Sequence, residues 1–311
     1  MRWALIGPGA VGGLYGGLLA VVGEEVHALY RSDAAAVWAG GVHLRSPLHD
    51  GPVPIVVHDS VATIAPVDAV LVATKTTANP ELAPVLGPLM GDDTIVVVLQ
   101  NGLGVEAEVA AATGGRGRLV GGLCFVCANR TGPGRTVHLD YGDLTLAAHT
   151  ADGSPGGRTE AVEAVASAFA ATGIGLHVDD DLVAARWRKL VWNIAFSGLS
   201  VVLDAATDDL VADPSVRSLV VELMDEVAAG AAAVGRPLPA GFGERMLTMT
   251  DAMIPYATSM KLDHDAGRPL ELRAIYDAPV AAAAAAGCAM PRTAALAAQL
   301  HFLDRRAPAS P

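Results

Sequence analysis

A glycine-rich turn close to the amino terminus limits what this chain can fold into more than any other feature. Gly7-Pro8-Gly9-Ala10-Val11-Gly12 fits the pattern GxGxxG. It follows the apolar run Arg2–Ile6, opens an apolar helical stretch over 10–22, and precedes a second strand over 25–30. In such a β-α-β unit each glycine has a task. The first permits the tight turn, the second removes a side chain that would block a pyrophosphate, and the third lets helix and strand pack closely. The helix amino terminus adds partial positive charge. The expected amino-terminal structure is therefore a dinucleotide-binding domain whose cradle is Gly7, Pro8, Gly9, Ala10, Val11 and Gly12.

The end of the second strand chooses the cofactor. A carboxylate there would hold a ribose 2′-hydroxyl, but this strand runs Val26-His27-Ala28-Leu29-Tyr30 into Arg31 and Ser32. A guanidinium suits a 2′-phosphate in charge and in bidentate geometry, so NADPH/NADP+ is expected over the unphosphorylated form. Two further strand ends, Thr74-Lys75-Thr76 and Leu99-Gln100-Asn101-Gly102, fall where ligands bind in open α/β sheets. Lys75 and Asn101 are thus candidates for contact with cofactor and substrate.

Beyond the fingerprint, short apolar runs alternate with helical stretches, which predicts a parallel sheet. The strands expected are 2–6, 25–30, 67–74, 94–99 and 119–128. A hairpin of 136–139 and 143–148 turns around Tyr141-Gly142, an alanine-rich helix covers 161–172, and a last strand covers 175–178. From the acidic cluster Asp179-Asp180-Asp181 onward the pattern is helical only, at about 181–203, 209–234, 239–261, 269–286 and 291–303. The fold class expected is α/β: a Rossmann-type domain over 1–179 and an all-helical substrate and dimerisation domain over 180–311. Residues 307–311 read as a frayed tail.

Composition narrows the function. With 33 acidic against 21 basic residues and a formal charge of −12, the chain does not suit nucleic acid or an anionic membrane. No apolar run reaches transmembrane length, and the first one enters the glycine turn instead of a signal-peptide cleavage site. Three cysteines are too few for a disulfide framework and point to a reducing cytoplasm. Cys124 and Cys127 form a CxxC inside a strand, where residues three apart face opposite ways, and no second pair completes a zinc site. The nine histidines are scattered, so no metal is expected.

The second half carries one unusual pattern. Past Lys189 the helix around Arg186–Ser200 is apolar nearly all round, which marks it as buried. Lys189, Asn193 and Ser197 nonetheless recur every four residues and so share one face. Polar groups on a buried face are costly unless they line a polar cavity.

Taken together, these residues resemble the ketopantoate reductases (2-dehydropantoate 2-reductases) over nearly the whole chain. The resemblance rests on the amino-terminal GPGAVGG, Arg31, Thr74-Lys75, Gln100-Asn101-Gly102, Lys189-x-x-x-Asn193, Ser259-Met260 and Gly267-Arg268-Pro269-Leu270-Glu271. It implies NADPH-dependent reduction of 2-dehydropantoate to (R)-pantoate, a step toward pantothenate and coenzyme A, in a cleft between the two domains. It further implies that Lys189 is the general acid, that Asn193 and Ser259 hold the substrate, and that Glu271 positions groups near the nicotinamide. Lys75 and Asn101 would contact cofactor and shape the site. A homodimer through the helical domain is expected from its long apolar helices and from the resemblance. One departure bears on the substrate: Ser197 stands where other members carry a second asparagine, and the stretch Asp204–Asp209 lacks an asparagine near the substrate hydroxyl. Each missing polar contact costs about 1–3 kcal/mol. The alternatives are thus the same chemistry on another 2-keto acid or ketone, or a non-catalytic NADPH sensor. Retention of Lys189 and Glu271 disfavours the sensor.

Overall fold

A computed structural model describes residues 1–306; the tail expected at 307–311 lies outside the described residues. Two compact units emerge. Among the described residues one comprises 1–100 and 105–182, the other 101–104 and 183–306. The short return of 101–104 to the second unit was not anticipated from the sequence.

The first unit is a ten-stranded sheet with strands β1 (Arg2–Ile6), β2 (Glu25–Leu29), β3 (Val42–Ser46), β4 (His49–Val53) and β5 (Val56–His58). It continues with β6 (Ala69–Val72), β7 (Ile95–Val98), β8 (Arg118–Gly132), β9 (Arg135–Ala148) and β10 (Leu176–Asp179). The segment β5-β2-β1-β6-β7-β8 is parallel throughout. Counted along the chain, that is the 3-2-1-4-5-6 order of doubly wound dinucleotide-binding sheets. Its four central strands read as continuous apolar runs because both faces are covered. On one face Phe169, from the helix Glu160–Ala170, meets the rings of Trp3 and Tyr15 edge-on.

Where structure and expectation differ, turn chemistry explains it. Tyr141-Gly142 is not a hairpin turn. β9 runs unbroken from Arg135 to Ala148 antiparallel to β8, and Tyr141 (φ 57°) and Gly142 (φ 120°) take up a bulge within it. The actual turn is Pro133-Gly134. β3, β4 and β5, absent from the sequence reading, extend both edges. Cys124 and Cys127 are buried thiols outside any disulfide, and burial beside Asp140 pushes the Cys127 thiol up to about 12.

The second unit is helical around a core that includes Trp187, Phe196, Leu223, Val227, Tyr276 and Leu300. Its helices are shorter than expected. Asp213-Pro214 starts a new helix, Pro214–Ala233, with the Asp213 carboxylate accepting from the N–H groups of Ser215 (2.9 Å) and Val216 (3.0 Å). The helix expected over 239–261 becomes two, Phe242–Asp251 and Ser259–Asp265. Pro255 between them lacks the N–H that a helix requires. No helix among the described residues is long and apolar enough to cross a membrane.

Candidate active-site residues

In the first unit the glycine turn lies at the crossover of the sheet, where β1 and β6 part. Gly7 has φ 89°, and a side chain there would strike the backbone of Ala73 and Thr74 at 2.5–2.8 Å, just past β6. A Cβ on Gly12 would collide with the Gly7 carbonyl oxygen and crowd Leu5, so only glycine lets this helix start so near the strand. Gly9 differs: a Cβ there meets nothing within 4 Å. Its open side is the space a pyrophosphate requires, in front of the amino terminus of the helix Ala10–Val21, which has no side-chain cap. The cradle fits a dinucleotide.

The same hollow continues past Tyr30 to Arg31, Ser32 and Asp33 on one side, with Glu81 and Arg130 also on its wall. Arg31 lies 3.3 Å from Glu81, both largely exposed. Arg130, at the far end of β8, ion-pairs with Asp33, whose carboxylate also accepts from the Ser32 hydroxyl. Two guanidinium groups therefore flank the position expected for a 2′-phosphate. Arg130 escaped the sequence reading because an arginine near a strand end 99 residues after Arg31 carries no local signal.

Lys75 is exposed at the end of β6, entering the turn Thr76–Glu81. Gln100, almost fully buried, pins this strand end: its amide nitrogen lies 3.0 Å from the Thr74 carbonyl, 3.1 Å from the Thr74 hydroxyl and 2.6 Å from the Asn79 side-chain oxygen. Asn79 in turn donates to Glu108 at 2.7 Å. Buried amides so engaged hold their loop in one conformation.

The second unit holds Asn101, Lys189, Asn193, Ser197, Ser259 and Glu271. Lys189 is half-buried in the helix Leu182–Trp192; Asn193 and Ser197 are buried just beyond it. The four-residue stripe does not continue as drawn from the sequence. Asn193–Ser197 forms a π-helical turn before α-helix resumes at Gly198. A π-turn takes more residues per turn than an α-helix, so the angle between Asn193 and Ser197 at its two ends differs from the one that regular four-residue spacing gives.

A second π-turn covers Arg273–Asp277, directly after the buried Glu271 and Leu272. There the Ala278 N–H reaches back five residues to the Arg273 carbonyl, and the Ala274 carbonyl instead accepts from Leu103 N–H at 2.9 Å. Gly102 (φ 106°) lies so close that a Cβ would sit 2.5–2.7 Å from Ala274. That contact anchors the segment bearing Asn101. The two π-turns pack on each other, and the helix Ser259–Asp265 packs on the first. Its Thr258 cap accepts from Lys261 N–H at 3.2 Å and hydrogen-bonds the Ser200 hydroxyl at 2.7 Å, which ties Ser259 to the same helix as Asn193.

Lys261 closes this region, with Nζ 2.6 Å from Asp204 and 2.5 Å from Asp265. Hydrogen bonding to Lys261 lowers the Asp204 pKa, and the two carboxylates raise that of Lys261. A lowered carboxyl pKa gives stability that is present above its unfolded value of about 3.9 and is lost as pH falls through the folded value. Lys261→Met is therefore expected to lower Tm at pH 7, with the gap to wild type closing below about pH 4 in thermal melts. A gap that persists unchanged at acid pH would show that packing of the lysine stem, not the ion pairs, sets the loss. Among the described residues no cluster of His, Cys, Asp or Glu is arranged to hold a metal ion.

A doubly wound parallel sheet with this cradle at its crossover defines a dinucleotide-binding protein of the Rossmann class. Residues 3–151 match the family described as ketopantoate reductase PanE/ApbA, and residues 181–304 match the carboxy-terminal region of the same family. The chain belongs to the ketopantoate reductase family. It is 44% identical to a 2-dehydropantoate 2-reductase of Nostoc sp., over 98% of this chain and 96% of that protein. Crystal structures of 2-dehydropantoate 2-reductases from Geobacter metallireducens (39% identity, TM-score 0.91, 97% of this chain and 99% of the other) and Methylococcus capsulatus (34%, 0.86, 100% and 99%) share the fold.

Proposed function

We propose that this chain reduces 2-dehydropantoate to (R)-pantoate with NADPH. The observation that carries the reading is a half-buried lysine, Lys189, one turn ahead of buried Asn193 at the start of an apolar helical stretch in a ketopantoate reductase family member. Gly7 to Gly12 would hold the pyrophosphate, Arg31 and Arg130 the 2′-phosphate, and Lys75 and Asn101 the ribose and nicotinamide side. When bound, NADPH supplies the hydride that reaches the carbonyl carbon. The chain supplies the rest. Lys189 stabilises the developing alkoxide and gives it a proton. Asn193, Ser197 and Ser259 orient the keto acid, and Glu271 keeps the lysine charged and directed. A homodimer in the cytoplasm belongs to the same proposal. The dimer is supported by apolar side chains such as Val221, Met249 and Phe302 left exposed in the second unit, and the compartment by three cysteines outside any disulfide.

Ser197 favours a second reading, the same chemistry on a different 2-keto acid, because a serine reaches less far than an asparagine. Loss of NADPH absorbance with 2-dehydropantoate and with a panel of other 2-keto acids separates the two. Fast turnover of 2-dehydropantoate alone is expected. Binding of NADPH with turnover only of another acid would move the assignment to that acid, and binding without any turnover would leave a sensor.

A further inference from the structure

The hydroxyl of Tyr276 is fully buried and lies 2.9 Å from the carbonyl oxygen of Ile194, to which it donates. In an uninterrupted α-helix that carbonyl would accept from the N–H four residues on, that of Gly198. Here the Gly198 N–H turns to the Ala195 carbonyl and to the Tyr276 oxygen. A phenol has thus been inserted into the helical hydrogen-bond ladder at the point where the ladder opens into the π-turn, one of the few physical causes of such an irregularity. The site is built for it. A Cβ on residue 198 would collide with the Tyr276 oxygen, so only glycine leaves room. Burial holds the phenol far above its ordinary range, so the donor is present at every working pH.

We propose that Tyr276 is a positioning residue: its hydroxyl wedges open the helix between Ile194 and Gly198 and thereby sets the directions of Asn193 and Ser197. Tyr276 lies in the second π-turn, whose Ala274 carbonyl holds the Asn101 segment. One side chain consequently links the backbone that carries Asn101 to the backbone that carries Asn193, and the substrate-facing groups keep register together. A regular helix turns about 100° per residue, so closing the wider turn changes the angle between Asn193 and Ser197 at its two ends. Reacting groups misplaced by an ångström can lose about a hundredfold in rate.

The inference rests on the reductase reading for its kinetic consequence but not for its structural one. Tyr276→Phe removes the hydroxyl and keeps the ring. The expected crystal structure has Gly198 N–H bonded to the Ile194 carbonyl and the π-turn closed to α-helix. The expected kinetics are a rise in KM for the keto acid and a roughly ten- to hundredfold fall in kcat/KM, with NADPH affinity by fluorescence titration unchanged. Gly198→Ala should give the same closure by expelling the hydroxyl, and in Tyr276→Phe it should add only the cost of pressing Leu296, which a Cβ there would meet at 2.8 Å, a non-additivity that marks one shared device. A Tyr276→Phe structure that keeps the π-turn, or closure of the turn with unchanged keto-acid kinetics, would overturn the proposal. If the wild-type protein turns over no keto acid, the functional reading fails, and the wedge is still judged by the structure of the variant.

Discussion

Replacing Lys189 with alanine is expected to lower kcat by roughly 10²–10⁴-fold while NADPH binds as before, because positioned proton donors contribute on that scale. Lys189 belongs to the helical unit, and the dinucleotide cradle is built wholly from the other unit, so loss of the amine leaves the glycine turn and both arginines intact. Stopped-flow measurement of hydride transfer with titration of NADPH on the same samples separates the two effects. Lys189→Arg keeps a charge but not a usable acid at neutral pH, since a guanidinium does not release its proton there. Its rate should stay near that of alanine if proton donation matters, and approach wild type if charge alone does. A Lys189→Ala enzyme with an unchanged rate of hydride transfer would refute the general-acid assignment.

Arg31→Ala should weaken NADPH binding by roughly 10–100-fold and leave NADH binding unchanged, since a hydrogen bond to a charged group is worth about 1.5–3 kcal/mol. The second guanidinium gives this expectation its detail. Arg130 already pairs with Asp33, so it neutralises the carboxylate that would otherwise repel a 2′-phosphate. Arg130→Ala should therefore also penalise NADPH, and Arg130→Ala with Asp33→Asn should recover part of the loss. Dissociation constants for both nucleotides, measured at one ionic strength, decide the matter. Equal weakening of NADH and NADPH by Arg31→Ala would place Arg31 on a part common to both.

Much of this could be read from residues near one another in sequence. The cradle, the helix behind it and Arg31 lie within 31 residues, and their spacing carries the chemistry. The parallel strands were legible as apolar runs because both sheet faces are buried. The edge strands β3, β4 and β5 were not, although Val42, Leu44 and Ser46 alternate inward, because they are short and rich in His, Gly and Pro. Tyr141-Gly142 has the chemistry of a turn and was spent on a bulge; local preference does not say which. The π-turns were invisible for a deeper reason. The first is tied to a hydroxyl 82 residues away in sequence from the carbonyl it binds, the second to the Leu103 N–H that meets the Ala274 carbonyl, and only tertiary structure brings these partners together. The same holds for Arg130 beside Asp33, 97 residues apart.

The four residues 101–104 leave the first unit, tie into the second through Leu103 and Ala274, and the chain then returns to complete β8. The halves are therefore not separable cassettes. A chimaera joined at 182/183 with a relative's carboxy-terminal half would inherit the acceptor carbonyl at one end of this tie from one parent and the donor from the other. Both parents supply the backbone groups, so what a chimaera must preserve is the space: a Cβ at position 102 would sit 2.5–2.7 Å from Ala274. A single close approach thus couples two positions some 170 residues apart in sequence.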